Sequence, residues 1–172
     1  MVWSSYKLDM NLNEIFDTKQ DVDWSPSEGG WIGKFTFDDK KFEILIDEYE
    51  ALDKYSLVDF GFTMNGSWKV TDDQRSSGKI LGVILHAFIE KIKELKPDCI
   101  LFGVNFKNGS AENRKSLYDR ISKLYAKGSS YHLETDWIKT KNGEYRILSR
   151  VNFSKEQLDK IDKIASSIES KS

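Results

Sequence analysis

The feature that most constrains the fold is a long helical pattern enclosed by two strand-like segments. From about residue 78 to residue 96, apolar side chains recur at intervals of three and four, the period of a helix, and Pro97 ends the pattern. The strand-like runs "YSLVDFGFTM" and "CILFGVN" stand before and after it. The second run is short and continuously apolar, as expected of a strand buried on both faces. The sequence therefore predicts a mixed α/β protein.

The segment before this helix predicts antiparallel strands. In "WIGKFTF" the residues alternate between two faces, "DDKK" turns the chain, and "FEILIDEYE" alternates again. With "YSLVDFGFTM", these runs give three strands. We expect residues 21–31, "DVDWSPSEGGW", to form a loop because Pro26, Gly29 and Gly30 interrupt regular structure. "NLNEIFDTK", before that loop, is predicted to be a short helix.

The segment after the long helix predicts a second helix and a hairpin. "SAENRKSLYDRISKLYAKG" is an amphipathic helix that Ser110 caps and Gly128 ends. "SYHLETDWIKT" and "EYRILSRV" form a hairpin with Asn142 and Gly143 at its turn. This half of the chain thus adds one helix and two strands to the fold.

The last segment predicts an added C-terminal helix. Ser154 and Gln157 have the spacing of a capping box, and an apolar stripe follows them. We therefore expect one domain over residues 1–153 and an amphipathic helix over residues 154–172. Its stripe lies either on the domain itself or on a partner.

The composition excludes several classes of partner and site. The chain has 172 residues, which suits one domain, and its formal net charge of -2 lacks the basic surplus of a broad nucleic-acid surface. No apolar run approaches about 20 residues, the length of a membrane span, and no signal peptide is visible, so we expect a cytoplasmic protein without a membrane partner. The single cysteine, Cys99, is expected to be buried. Two scattered histidines and one cysteine predict no metal site.

The polar stretch "DDQRSSGK" before the long helix is the best candidate for an anion site. We predict a loop that carries a set of polar residues and leads into the helix, namely Gln74, Arg75, Ser76, Ser77, Gly78 and Lys79. Backbone amides at a helix start bind phosphate, and Arg75 and Lys79 add positive charge. The alternative is an ordinary loop that only caps the helix.

The order of elements, with this loop after the third strand, resembles the GCN5-related N-acetyltransferase family over roughly residues 31–151. The resemblance implies an acyl-CoA N-acyltransferase-like fold, a mainly antiparallel sheet flanked by helices. It also implies that the loop amides hold the pyrophosphate of acetyl-CoA or a related acyl-CoA. The family loop begins with Gln or Arg and continues to a glycine and a small residue. One register puts Arg75, Gly78 and Ile80 on those places, and the other puts Gln74, Ser77 and Lys79 there.

The same resemblance assigns roles in the next helix. "NRKSLYDRI" places Asn113, Ser116 and Tyr118 on the family's asparagine, alanine and tyrosine. Asn113 then belongs to the cofactor site, and Tyr118 protonates the leaving CoA thiolate. The alternative for Tyr118 is packing along the helix.

An enzyme that acylates an amine also needs a base that takes the ammonium proton. Asp59 interrupts the apolar run "SLVDFGF", so its side chain faces either solvent or a cleft, and we predict that it is this base. Other candidates on strand-like segments are Glu43, His132 and Glu134.

Two main functions follow from these residues. The first is an acyl-CoA-dependent N-acyltransferase. The second is a binding module that has the fold but does not bind the cofactor, and that acts through a protein partner or as a homodimer. The layout is also similar to that of small bacteriophage proteins, for which such a module would be an accessory protein acting on a host protein. A nucleotide or other anion in the same loop is a third alternative.

Overall fold

Residues 21–52, 54–66, 74–107 and 111–171 are described by a computed structural model of the chain. Within them the strands are β1 (Asp23–Ser27), β2 (Gly30–Phe37), β3 (Lys40–Leu52), β4 (Tyr55–Met64), β5 (Cys99–Asn105), β6 (His132–Leu133), β7 (Ile138–Lys139) and β8 (Gly143–Ser149). The described helices are α1 (Gln74–Leu95), α2 (Ala111–Lys127) and α3 (Lys155–Lys171), and none of them is both long and apolar enough to cross a membrane. The helix predicted in "NLNEIFDTK" and the cap predicted at Ser110 lie outside the described residues.

The strands form one eight-stranded sheet in the order β1-β2-β3-β4-β5-β8-β6, with β7 also paired to β8. The neighbouring strands are antiparallel except β4 and β5, which are parallel. Because consecutive parallel strands need a crossover connection, α1 runs between them. The chain is therefore an α/β protein with a mixed, mainly antiparallel sheet and helices against it, as the sequence predicts.

Three strands that the sequence predicts on either side of α1 are confirmed as β2, β4 and β5. β4 and β5 have the same bounds as the runs "YSLVDFGFTM" and "CILFGVN", and β2 pairs with β3 as a hairpin. The turn between β2 and β3 has Asp38 at φ 53° and Asp39 at φ 62°. Aspartate accepts this left-handed conformation better than most residues, so "DD" at this point favours a tight hairpin turn.

The loop predicted over residues 21–31 is wrong, because most of it is strand β1 and the start of β2. Pro26 lies opposite Trp31 in this ladder. Proline is tolerated there because β1 is an edge strand, where one side of the backbone needs no hydrogen-bonded neighbour. Gly29, at φ 84°, forms the turn between the strands. Proline and glycine thus mark an edge and a turn of the sheet.

The helices lie on the two opposite faces of the sheet. Alternate residues of each strand point to opposite sides, so two separate cores form. The α1–α2 face is covered by α1 and α2, and its core includes Ile44, Ile46, Phe60, Phe62, Phe102, Ile84, Phe88 and Ile121. The α3 face is covered by α3, and its core includes Leu57, Leu101, Ile147, Ile161, Ala165 and Cys99, whose predicted burial is confirmed.

The predicted C-terminal helix packs on the domain itself. The Ser154 amide donates to Gln157 Oε1 at 2.9 Å, and the Gln157 amide donates to Ser154 Oγ at 3.2 Å, which confirms the capping box. Ile161 is fully buried against the sheet. The Tyr145 hydroxyl donates to Asp162 Oδ1 at 2.7 Å, which fixes the helix to β8.

A lysine held between two tryptophans fastens the edge of the sheet to α1. Lys91 Nζ lies 3.6 Å from the centroid of the Trp31 ring and 5.0 Å from that of Trp24, and it also pairs with Glu94 at 3.3 Å. A Cβ atom at Gly33 would lie 3.0 Å from two atoms of the Trp24 ring. The glycine therefore leaves the room that the ring needs to lie across β2 and reach the lysine.

We predict that Ile161→Ala lowers the free energy of unfolding by about 3 kcal/mol, because it removes buried methylene groups from the core of the α3 face. Urea denaturation measures the change. Asp159→Ala on the exposed side of the same helix is the matched control and should change it by less than about 0.5 kcal/mol. Equal effects of the two variants would show that α3 does not dock on the sheet in solution.

Candidate functional site

β4 and β5 separate before either strand ends. Residues 57–60 of β4 pair with residues 99–102 of β5, but β4 continues to Met64 and β5 to Asn105. On their other sides both strands stay paired, β4 with β3 as far as Met64 and β5 with β8 as far as Asn105. The strands therefore diverge and leave what we call the β4–β5 gap, between residues 61–64 and 103–105. Strand backbone that faces this gap has no ladder partner across it.

Arg114 and Tyr118 of α2 reach the β4–β5 gap from the α1–α2 face. Arg114 Nη1 donates to the Phe62 carbonyl at 2.6 Å and contacts the Tyr118 hydroxyl at 3.0 Å. Both side chains are almost completely buried, with 3% and 1% of their surface exposed. The Tyr118 ring also makes edge contacts with Phe60 and Phe62. A carbonyl in the unpaired part of β4 is thus satisfied by a helix side chain.

The electrostatic surroundings keep Tyr118 protonated. Burial raises the pKa of its hydroxyl above the ordinary value, the charge of Arg114 and its hydrogen bond lower it, and the charge of Asp59 raises it. The net pKa is raised. Tyr118 is therefore protonated at neutral pH, and its raised pKa makes it a weaker proton donor than an ordinary tyrosine.

Asn113 does not lie on the same side of α2 as Tyr118. Asn113 and Ser116 are exposed, whereas Tyr118 is buried. Tyr118 also stands one residue nearer to Asn113 than the family pattern has it, which corrects the predicted match of "NRKSLYDRI". Residues at this spacing point to different sides of a helix. The structure therefore does not bring Asn113 to Tyr118.

The stretch from Gln74 through Arg75, Ser76 and Ser77 to Gly78 lies in helix α1, not in a loop before it. The helix begins at Gln74, earlier than the start predicted near residue 78. Glycine and serine had indicated a loop, but both are tolerated within a helix at a modest energetic cost. The side chains of residues 74–78 lie outside the described part of the structure, Lys79 is exposed and Ile80 is partly buried.

The first turn of α1 offers the free backbone amides of a helix start. These amides belong to its first residues, here those that follow Gln74. The described first turn contains no acidic side chain, although Asp72 and Asp73, outside the described residues, directly precede it in the sequence. Any anion binding would therefore use a regular helix start rather than a separate phosphate loop.

Asp59 lies on the α3 face, next to the point where β4 leaves β5. It pairs with Leu101 of β5, one residue before the last pair of that ladder, and with Asp47 of β3. Burial raises the pKa of Asp59 to about 8, and the charge of Asp47 adds to the shift. Burial likewise raises the pKa of Asp47, and burial and both carboxylates raise that of Tyr49 to about 12. Asp59 is therefore a carboxyl group that titrates near physiological pH.

Gly103 and Thr63 lie on the α3 face beyond the end of the β4–β5 ladder. Gly103 follows Leu101 on this face of β5, and a Cβ atom built on it would meet no atom of the described residues within 4 Å. Thr63 lies four residues beyond Asp59 on the same face of β4, and its buried Oγ1 has no hydrogen-bond partner among the described residues. The described residues therefore leave space beside Gly103, which is next to the ladder partner of Asp59 on this face.

The other predicted bases do not join this group. His132 Nε2 lies 2.8 Å from Glu134 Oε2, so these two side chains pair with each other. β6, which carries His132, is separated from β4 by β8 and β5. Glu43 lies opposite Thr63, toward the outer end of the gap. Asp59 is therefore the predicted base that lies where the strands separate.

Ion pairs from the buried Arg146 fix α2, and with it Arg114 and Tyr118, against the sheet. Arg146 of β8 donates to Asp119 Oδ1 at 2.5 Å and to Asp136 Oδ1 at 2.8 Å. Trp137 Nε1 donates to Asp119 Oδ1 at 3.3 Å. Burial raises the pKa of Asp119, but its hydrogen bonds from Lys123 and Trp137 and the charge of Arg146 lower it overall. Asp119 thus stays ionised and anchors the helix.

Comparison with protein-family models, with curated proteins and with solved structures finds no match for this chain. The described residues include no group of three or more metal-binding side chains. The chemistry of the site therefore has to be argued from the residues around the β4–β5 gap.

We predict that Arg114→Met lowers the free energy of unfolding by about 3 kcal/mol, because it takes a charged donor from the Phe62 carbonyl and the Tyr118 hydroxyl. Thermal or urea denaturation measures the loss. Lys123→Met removes a charge from an exposed position of the same helix and should cost less than about 1 kcal/mol. A loss for Arg114→Met no larger than this control would mean that Arg114 does not hold the gap.

Proposed function

We propose that this protein is an acyl-CoA-dependent N-acyltransferase whose reaction takes place at the β4–β5 gap. The observation that supports it best is the placement of two titratable groups at one break in the sheet. The hydroxyl of Tyr118 lies on one face and the carboxyl group of Asp59 lies on the other, close enough that the charge of Asp59 affects the pKa of Tyr118. A break between parallel strands provides a passage between these faces.

The start of α1 suits the phosphates of the cofactor. α1 leaves the end of β4 that borders the gap and returns to the beginning of β5, so its positive end lies at the open end of the gap. The backbone amides of its first turn would bind the pyrophosphate, and Arg75 and Lys79 would add charge. The unpaired edge of β4 would bind the amide groups of the pantetheine arm in place of a strand neighbour.

The residues at the gap can divide the proton transfers of the reaction between them. Bound acyl-CoA supplies an acyl thioester that an uncharged amine attacks. Asp59, in its ionised form, accepts the proton of the acceptor ammonium, and this proton later passes to solvent. Tyr118 donates its proton to the sulfur as the carbon–sulfur bond breaks, and it recovers one from the nitrogen that has been acylated. The products are then an amide and free CoA, and both side chains return to their starting states.

Acceptor access is expected from the α3 face. The space beside Gly103 is next to the ladder partner of Asp59 on that face, whereas the cofactor phosphates are placed at the end of the sheet. The two substrates would therefore meet at the inner end of the gap from different directions. This arrangement permits direct attack without a covalent enzyme intermediate.

We predict that acetyl-CoA or CoA at about 100 times its dissociation constant raises the melting temperature by about 5 °C or more, as expected for about 2.7 kcal/mol of linked binding. The double variant Arg75→Ala, Lys79→Ala should lose most of this rise, because it removes the charge beside the helix start. Differential scanning fluorimetry measures both. The control is the double variant Lys93→Ala, Lys163→Ala, which removes the same amount of charge at exposed positions away from this helix start. It should show the same rise in melting temperature as the unmodified protein.

Release of free CoA from acetyl-CoA in the presence of primary amines, followed with a thiol-reactive dye, tests turnover directly. Tyr118→Phe should then slow release while keeping the thermal shift. If neither acetyl-CoA nor CoA shifts the melting temperature, or if the double variant keeps the whole shift, the proposed cofactor site is wrong.

One observation favours the second candidate, a binding module without catalysis. Arg114 and Tyr118 are buried against Phe62 and bonded to each other, so these side chains occupy the inner part of the gap. A module of this kind would act on a protein partner or as a homodimer. Sedimentation analysis without CoA distinguishes it, since a dimer or a stable protein complex together with no thermal shift supports the module.

A further inference from the structure

Asp47 and Asp59 are held side by side by the register of two strands. They are direct partners in the antiparallel ladder of β3 and β4, so both side chains point to the α3 face. Side chains at directly opposite positions have Cβ atoms about 5 Å apart. The separation of the two carboxyl groups is thus fixed by the backbone of the sheet.

No described positive charge compensates this pair. Within the described ranges, neither carboxylate has a hydrogen bond or an ion pair, and both are partly buried. The groups that face them are Tyr49 from β3, the apolar Leu101 from β5 and, across the gap, Tyr118 from α2. On α3, Asp162 accepts a hydrogen bond from Tyr145 of β8. The surroundings are therefore neutral or negative.

We propose that Asp47 and Asp59 hold one proton between them at neutral pH, and that Asp47 is a positioning residue that sets the pH at which Asp59 becomes a base. The catalytic consequence rests on the proposed function, whereas the shared proton is a property of the free chain. Two carboxylates at this distance, partly removed from water, repel each other strongly enough that the second ionisation is delayed.

We place a ligand for the carboxyl pair in the space beside Gly103, where no described atom lies within 4 Å of a Cβ position. An ammonium group that enters this space brings the positive charge that the pair lacks, and it favours the fully ionised pair. Binding of the cation therefore releases the shared proton to solvent. Thr63, whose buried hydroxyl has no partner among the described residues, adds a polar group on the same strand face. The acceptor would in this way prepare its own base.

Carbon-13 NMR of the side-chain carboxyl groups in the free protein measures the shared proton without any substrate. The Asp59 resonance, identified by its loss in Asp59→Asn, should titrate with a midpoint of about 8. Asp47→Asn keeps the shape of the side chain and removes its charge, so the midpoint should fall by about one pH unit or more. Asp47→Glu restores a carboxylate and should return the midpoint toward the wild-type value. Asp159→Asn, at an exposed position of α3, is the control and should leave the Asp59 midpoint unchanged.

The pH dependence of stability gives a second readout. The pKa of Asp59 is raised in the folded chain, so the folded state binds the proton more tightly than the unfolded state. Below the pKa that Asp59 has in the unfolded chain, this proton makes its full contribution to the free energy of unfolding. The contribution is lost as pH rises toward about 8, and above that pH it no longer changes. The urea midpoint should therefore decline between pH 5 and 8, and the decline should be shallower in Asp59→Asn.

A wild-type midpoint for Asp59 near its ordinary value would overturn the shared proton. An unchanged midpoint in Asp47→Asn would overturn the role of Asp47, and if that variant does not fold, a biphasic titration of Asp47 itself in the wild type decides. When the titration behaves as expected but CoA neither binds nor is released, the proposed function is wrong and the shared proton is still supported.

In an active enzyme, kcat/KM should rise with pH toward a plateau above about 8, and Asp47→Asn should move that rise to lower pH.

Discussion

The limited pairing of β4 with β5 is the constraint on which the rest of the structure depends. Parallel strands that follow each other in the chain need a crossover, and α1 supplies it over the α1–α2 face. Because β3 and β8 continue to bind the outer edges of the two strands, the gap cannot close by sliding one strand alone. The unpaired backbone groups of the two strands need hydrogen-bond partners. Polar side chains that supply such partners can therefore be buried in the gap at a lower energetic cost. Arg114 meets that need at the Phe62 carbonyl, and Asp59 lies where the ladder stops.

Two sets of contacts outside the gap hold β4 and β5 apart. On the α1–α2 face, Arg146 of β8 bonds to Asp119 of α2 and to Asp136. These bonds fix α2 to β8. The position of β8 therefore sets the position from which Arg114 and Tyr118 of α2 approach β4. On the α3 face, α3 docks through Ile161 and the bond between Tyr145 and Asp162. An ion pair of a buried arginine contributes little certain net stability, so we assign to this network a role in positioning α2. Both sets of contacts thus fix the positions of α2 and α3 on the sheet more than they raise the free energy of unfolding.

The sequence predicted the elements better than it predicted the site. Alternation identified β2, period identified α2, and continuous apolar character identified β5, because each of these patterns is local. β1 was missed because proline and glycine have a different meaning at a sheet edge, and the start of α1 was misplaced because serine and glycine do not exclude a helix. Asp59 was found since a charge interrupts an apolar strand. Asp47 interrupts "FEILIDEYE" in the same way, but its importance depends on the register with β4, which is a long-range property. Arg114 and Gly103 carried no local signal at all.

The balance between an enzyme and a binding module depends on whether the bond from Arg114 to the Phe62 carbonyl can be exchanged. A ligand arm that runs along β4 offers amide donors to the same carbonyl, so the backbone would keep a partner while the guanidinium moves. The guanidinium in turn would need an acceptor, which in the proposed complex would be a cofactor phosphate or the thiolate that forms during transfer. Such an exchange conserves the number of satisfied polar groups and costs mainly the rearrangement of packed aromatic rings around Tyr118. Asp59 lies on the opposite face of the sheet from this bond, in register with a second carboxylate. An uncompensated carboxyl pair lowers stability, and its position at the only parallel junction in the described sheet is the reason that we propose a catalytic role for its proton.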